Sequence, residues 1–276
     1  MPVLITATEL AAALANSGAP RLLDVRWSLA NPDGRGDYRA GHIPGAVYAS
    51  LDDELSDHSV ADAGRHPLPS RERLQAAARA WGINAGDAVV VYDAGPGLSA
   101  ARAWWLLRHA GLTDVRILDG GLAAWIAASG ATTVGSVTPD FGDVELSWGD
   151  LDVTDANAAG DWPSTGVLLD ARAGERYRGE IEPVDAVAGH IPGAISAPTQ
   201  ENVGPDGRFL APAELAARFA QLGVDGTRPV AVYCGSGVTA AHEIAALAVV
   251  GIEATLYPGS WSAWITDPDR PVATGD

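Results

Sequence analysis

The chain has a single cysteine, Cys234, which closes the apolar run Val230-Ala231-Val232-Tyr233 and precedes Gly235-Ser236-Gly237-Val238-Thr239. A helix-forming stretch follows to Val250. A cysteine at a strand end, before a small-residue loop that opens a helix, is well placed to be a nucleophile. The glycines let successive backbone N–H groups curl towards one point, and the helix N-terminus adds partial positive charge. Both favour anionic sulfur over the thiol. A lone cysteine is more often a small buried hydrophobe, and the Gly-Ser-Gly tract is what argues against that reading. Cysteine chemistry on phosphate or arsenate needs an arginine six positions after the cysteine, and Ala240 stands there. Papain-like acyl transfer calls for a partner histidine and a different local context. Sulfur transfer remains, because a backbone-lined loop can hold an outer sulfur without a guanidinium.

The elements that must position this loop occur twice. Leu22-Leu23-Asp24-Val25-Arg26 returns as Leu168-Leu169-Asp170-Ala171-Arg172, and Gly41-His42-Ile43-Pro44-Gly45-Ala46 returns unchanged at 189–194. Val89-Val90-Val91-Tyr92-Asp93 matches Val230 to Cys234, and the block 119–125 matches 258–264. The four blocks keep their order, so the chain is a duplicated domain. Short β-rich runs (21–25, 88–92, 167–170, 229–233) alternate with helical periodicity at Leu74, Ala78 and Trp81, and at Leu215, Phe219 and Leu222. Thr6 with Glu9 fits a capping box, and Pro212 suits a helix start. The pattern predicts an α/β protein of two domains, each a mainly parallel sheet flanked by helices. The expected bounds are 1–135 and 151–276, joined by a linker at 136–150 that follows neither period. His42 and His190, repeated in both copies, read as structural.

Composition narrows the partners. Eighteen basic residues against 35 acidic give a formal net charge of −17, which argues against nucleic acid and against anionic membranes. Every basic residue is arginine, which excludes Schiff-base catalysis and a lysine-dependent P-loop. One cysteine excludes an internal disulfide, and no Cys/His cluster has the spacing of a zinc site. No metal or organic cofactor is expected. The N-terminus lacks a secretory pattern and no apolar run reaches a membrane span, so the expected location is the cytoplasm.

The duplicated GHIPGA motif, the closing Gly-Ser…Trp blocks and Cys234-Gly235-Ser236-Gly237-Val238-Thr239 resemble the tandem-domain rhodanese family, and the loop resembles its 3-mercaptopyruvate sulfurtransferases. The resemblance covers essentially the whole chain. It implies two rhodanese-like domains of which only the second is catalytic. Asp93 stands in place of the first copy's cysteine, and that copy is expected to serve as scaffold and cleft wall. It implies that Cys234 takes a sulfane sulfur from 3-mercaptopyruvate and passes it, as a persulfide, to a thiol acceptor such as thioredoxin or a low-molecular-weight thiol, or to cyanide. Ser236 would belong to a Ser-His-Asp arrangement completed by His66 and Asp53, on a stretch two residues longer than the family's. Arg176 would grip the donor's carboxylate, with Arg178 in support and Gly235, Gly237, Val238 and Thr239 lining the loop. A second arginine usual after a proline is replaced by Val184 after Pro183, which leaves a thiosulfate-using rhodanese open. A persulfide carrier without turnover is the further alternative.

Overall fold

The computed structural model describes residues 2–16 and 18–276. The chain forms two compact units: the first comprises Met1–Asp57, Leu68–Leu151 and Gly204–Phe209, the second His58–Pro67, Asp152–Val203 and Leu210–Asp276.

In the first unit the order is β1 (Leu4–Ile5), α1 (Ala7–Leu14), β2 (Arg21–Asp24), α2 (Arg35–Ala40), β3 (Val47–Tyr48), α3 (Arg71–Ala80), β4 (Val89–Tyr92), α4 (Ala100–His109), β5 (Val115–Leu118) and α5 (Gly121–Ala127). The five strands pair in parallel in the order β1-β5-β4-β2-β3. Helix α1 starts in the capping box expected at Thr6 and Glu9. Apolar side chains from the strands, among them Leu22, Val90 and Leu118, pack with Leu10 and Trp125.

The second unit repeats the plan: α6 (Ala156–Asp161), β6 (Val167–Asp170), α7 (Gly174–Tyr177), β7 (Ile195–Ser196), α8 (Pro212–Gln221), β8 (Val230–Tyr233), α9 (Thr239–Val249), β9 (Thr255–Leu256) and α10 (Ser260–Trp264). Its parallel sheet runs β7-β6-β8-β9. A single parallel bridge from Val153 to Leu256 stands where the first unit has β1. Leu168, Ala231 and Tyr233 form the core with Trp261 and Trp264. Parallel strands buried on both faces read as continuous apolar runs, which is why β2, β4, β6 and β8 stand out in the sequence.

Two segments differ from the expected boundaries. The stretch read as a linker is bound to the first unit: Val144 and Leu146 are buried, Arg79 Nε donates to the Val144 carbonyl and Leu146 N–H donates to Gln75. Residues 58–67, which precede α3 in sequence, belong to the second unit. That assignment brings His66 into the unit that holds Cys234.

The duplicated motif is structural in both copies. His42 Nδ1 lies 2.9 Å from the Tyr38 carbonyl and His190 Nδ1 2.8 Å from that of Tyr177, with each ring stacked on the tyrosine. Asp24 with Arg26, and Asp170 with Arg172, form matching buried ion pairs.

Candidate active site

Cys234 follows the last residue of β8, and its loop ends where α9 begins at Thr239. Cys234 is buried, and its Sγ accepts hydrogen bonds from the N–H groups of Gly237 at 3.1 Å and Ser236 at 3.4 Å. Such a cradle of amide donors suits negative charge on sulfur. Gly237 must be glycine: its φ is +77°, and a Cβ there would stand 2.5 Å from the Pro258 carbonyl oxygen.

The start of α10 fastens the other side of the loop. Trp261 N–H donates to the Cys234 carbonyl and Ser262 N–H to that of Gly235, each at 2.9 Å. Ser260 Oγ accepts from Cys234 N–H at 3.0 Å, donates to the Tyr257 carbonyl at 2.9 Å and lies 4.0 Å from Sγ. Ser260 achieves this with φ +54°, a conformation costly for any residue but glycine. Strain of this kind persists where the surroundings impose it. The first copy has Gly121 at the matching position, with φ +57°. Residue type alone could have flagged Ser260, since it replaces a glycine in an otherwise repeated block.

The cradle of the first copy is filled by its own chain. The Asp93 carboxylate accepts from the N–H groups of Gly95, Gly97, Ser99 and Ala100 at 2.9 to 3.3 Å, and from Ser99 Oγ at 3.2 Å. The Asp93 side chain thus occupies, in the first copy, the place that Cys234 Sγ takes in the second.

Ser236 Oγ lies 2.8 Å from His66 Nδ1, with both residues buried. Asp53 belongs to the first unit, where it pairs with Arg35 at 2.7 Å and accepts from Ser50 Oγ at 3.0 Å. The Arg35 hydrogen bond, helped by Ser50, holds the Asp53 carboxyl below its ordinary value.

Arg176, on α7, is engaged by two acidic side chains. Its Nε and Nη2 make a bidentate pair with Glu182 at 3.1 and 2.7 Å, and Nη2 also reaches Asp185 at 3.0 Å. Burial works to raise the Glu182 carboxyl. Hydrogen bonds from Arg176 and from the N–H groups of Asp185 and Val184 outweigh it and hold that carboxyl below its ordinary value. Arg172 adds a contact to Glu182 at 3.4 Å. Arg178 instead turns to the exposed Glu180 at 2.8 Å. Arg65, which sequence reasoning passed over, pairs with Asp185. Its N–H donates to Ser262 Oγ at 3.0 Å. Nothing in its immediate sequence marks it, because its neighbours at the site come from residues more than a hundred positions away. Among the described residues no group of three or more His, Cys, Asp or Glu could hold a metal ion, and no helix is long and apolar enough to cross a membrane.

Comparison with known proteins agrees with the repeated architecture. The family model of the rhodanese-like domain matches residues 6–128 and 152–267. A Mycobacterium tuberculosis protein, SseB, provisionally named a thiosulfate sulfurtransferase, is 52% identical over 99% of this chain and 97% of its own. A Pseudomonas aeruginosa protein, provisionally named a 3-mercaptopyruvate sulfurtransferase, is 49% identical over 99% of this chain and 98% of its own. The crystal structure of the 3-mercaptopyruvate sulfurtransferase SseA from Escherichia coli superposes with a TM-score of 0.83 at 34% identity, covering 95% of this chain and all of that one. With two matched copies of the domain and relatives at this identity over nearly the full length, the chain belongs to the rhodanese family as a tandem-domain member.

Proposed function

We propose that the protein is a sulfurtransferase that takes sulfur from 3-mercaptopyruvate through a persulfide on Cys234. The observation that carries this reading is the pair of roles met in Ser236: its N–H points at Cys234 Sγ while its hydroxyl contacts His66. The Cys234 thiolate attacks the donor's sulfur, the C–S bond breaks, and its electron pair passes to carbon as the pyruvate enolate. That leaving group needs a proton, and Ser236 with His66 forms a relay able to deliver one. The products are pyruvate and Cys234–S–SH. An acceptor thiolate, from thioredoxin or a small thiol, then attacks the outer sulfur and Cys234 leaves as thiolate. The amide donors of Ser236 and Gly237 hold sulfur charge in both halves of the cycle. Asp53, whose carboxylate is engaged by Arg35 and Ser50, is assigned no step. Arg176 supplies positive charge for the donor's carboxylate, while Arg178, paired with Glu180, is assigned to the periphery. A single thiol that must cycle through thiolate fits the reducing cytoplasm.

A thiosulfate donor is the second reading. It is favoured by Val184, which leaves the 182–185 turn without a basic side chain, and by the name given to the Mycobacterium tuberculosis relative. Sulfite, unlike an enolate, leaves without a proton, so this reading gives the Ser236–His66 contact no chemical task. Cyanide-dependent thiocyanate formation, compared as kcat/KM for the two donors on one preparation, decides between them. A preference for mercaptopyruvate is expected, and a preference for thiosulfate would overturn the substrate assignment.

A further inference from the structure

Four of the six histidines are built into the fold. His42 and His190 hydrogen-bond to tyrosine carbonyls, His109 Nδ1 lies 2.8 Å from the Leu151 carbonyl, and His242 Nδ1 lies 2.7 Å from Thr199 Oγ1. All four are buried. The remaining two meet beside the cysteine loop. His66 is 6% exposed and faces Ser236, whereas His58 is open to solvent. Their ring centroids are 6.1 Å apart, with the planes inclined at 67°. The chain turns back between them, with Asp62 at φ +56°, and Arg65 N–H fastens the returning limb to Ser262 Oγ at 3.0 Å.

A proton relay of Ser236 and His66 has an inner end and an outer one. His66 Nδ1 serves Ser236, so Nε2 is the nitrogen through which the ring exchanges protons with groups beyond the relay. The proton given to the enolate has to be replaced, and a ring so deeply buried meets little bulk water. The charged side chains next to the two histidines in sequence are engaged: Asp57 with Arg73 at 3.2 Å, and Arg65 with Asp185. Imidazole is the side chain suited to take up and release protons near neutral pH. The ring spacing allows transfer directly or across one water.

We infer that His58 carries protons between solvent and the Ser236–His66 relay. This rests on the mercaptopyruvate reading and extends it. In the donor half of the cycle Ser236 gives its proton to the enolate carbon, His66 refills Ser236 from Nδ1, and protonated His58 supplies Nε2. In the acceptor half the flow reverses. An acceptor thiol passes its proton through Ser236 to Nδ1 and becomes the attacking thiolate, while Nε2 returns a proton to His58. One proton is lent and recovered in each cycle, and His66 ends in the tautomer in which it began. His58 touches no reacting atom; it positions a proton for His66.

The test is the rate of persulfide formation in the full chain and in its His58→Ala variant, followed by rapid quench and intact mass without an acceptor. Both proteins are measured with 3-mercaptopyruvate in a bulky buffer at low concentration, then with added imidazole, and with thiosulfate as the comparison donor. His58→Ala is expected to slow the mercaptopyruvate reaction about 10-fold, less than the loss of a group acting directly. Imidazole should restore most of the rate. The thiosulfate reaction should keep the parent's rate, because sulfite leaves without a proton. An unchanged mercaptopyruvate rate, or a loss that imidazole does not relieve, overturns the proton role. Equal slowing with both donors also overturns it, since it makes His58 a packing residue. A parent chain that forms no persulfide from mercaptopyruvate removes the donor reading and the His58 role together, whereas a competent parent with an indifferent variant removes the role alone.

Discussion

Ser236 Oγ and His66 Nδ1 lie 2.8 Å apart although 170 positions separate them in the chain. In the proposed mechanism the contact makes a loop serine half of a proton relay while its backbone N–H remains on Cys234 Sγ. Ser236→Ala removes the hydroxyl and keeps that N–H. Its kcat with mercaptopyruvate should fall about 10²–10⁴-fold, the range for a lost acid–base group. His66→Ala should fall by a similar factor, and the double variant little further, because the two act as one unit. Steady-state kinetics checks this, and additive losses would separate the residues.

Ser260 separates positioning from strain. Ser260→Gly accepts the φ of +54° freely and loses the oxygen that receives Cys234 N–H. Thermal unfolding should stay within about 1 kcal/mol of the parent, since relief of the backbone offsets the lost hydrogen bonds. Persulfide formation should slow ~10-fold as the cysteine backbone loosens. An unchanged rate would reduce Ser260 to a packing residue.

The filled cradle of the first copy should matter for folding and not for turnover. Asp93→Ala leaves the buried N–H groups of Gly97, Ser99 and Ala100 without their acceptor. A loss of about 3 kcal/mol in denaturant unfolding is expected, as unsatisfied buried donors are costly. Activity per folded molecule should stay within about two-fold of the parent.

Duplication and sheet class were legible in the residues, whereas the Ser236–His66 contact was anticipated only through the family resemblance. β2, β4, β6 and β8 showed because a parallel strand buried on both faces is an unbroken apolar run. The two-residue strands β1, β3, β7 and β9 carry too few side chains for any period to register. The 136–150 stretch looked like a linker because it binds α3 largely through backbone groups and two buried apolar side chains, Val144 and Leu146, which no periodicity announces. Asp53 matched by position, yet the structure gives its carboxylate to Arg35 and Ser50. Arg65 was invisible because its partners, Asp185 and Ser262, lie far away in sequence.

Acid should undo the carboxylate–arginine cluster. Glu182 is held below its ordinary 4.5, so its ionised form contributes stability that is fully present above that value. The contribution disappears as pH falls from there through the lowered folded-state value. Melting temperatures measured downward from pH 6 should drop across that window. Glu182→Gln should flatten the dependence, and an unaltered slope would remove Glu182 from the explanation.

The most direct test is the intact mass of the protein after brief incubation with 3-mercaptopyruvate and no acceptor, with peptide mapping of the adduct. One added sulfur atom on the Cys234 peptide, lost again on addition of cyanide or a thiol, is the expected result. Thiocyanate formation that proceeds without the adduct, or that survives in Cys234→Ser, would contradict sulfur transfer through this cysteine.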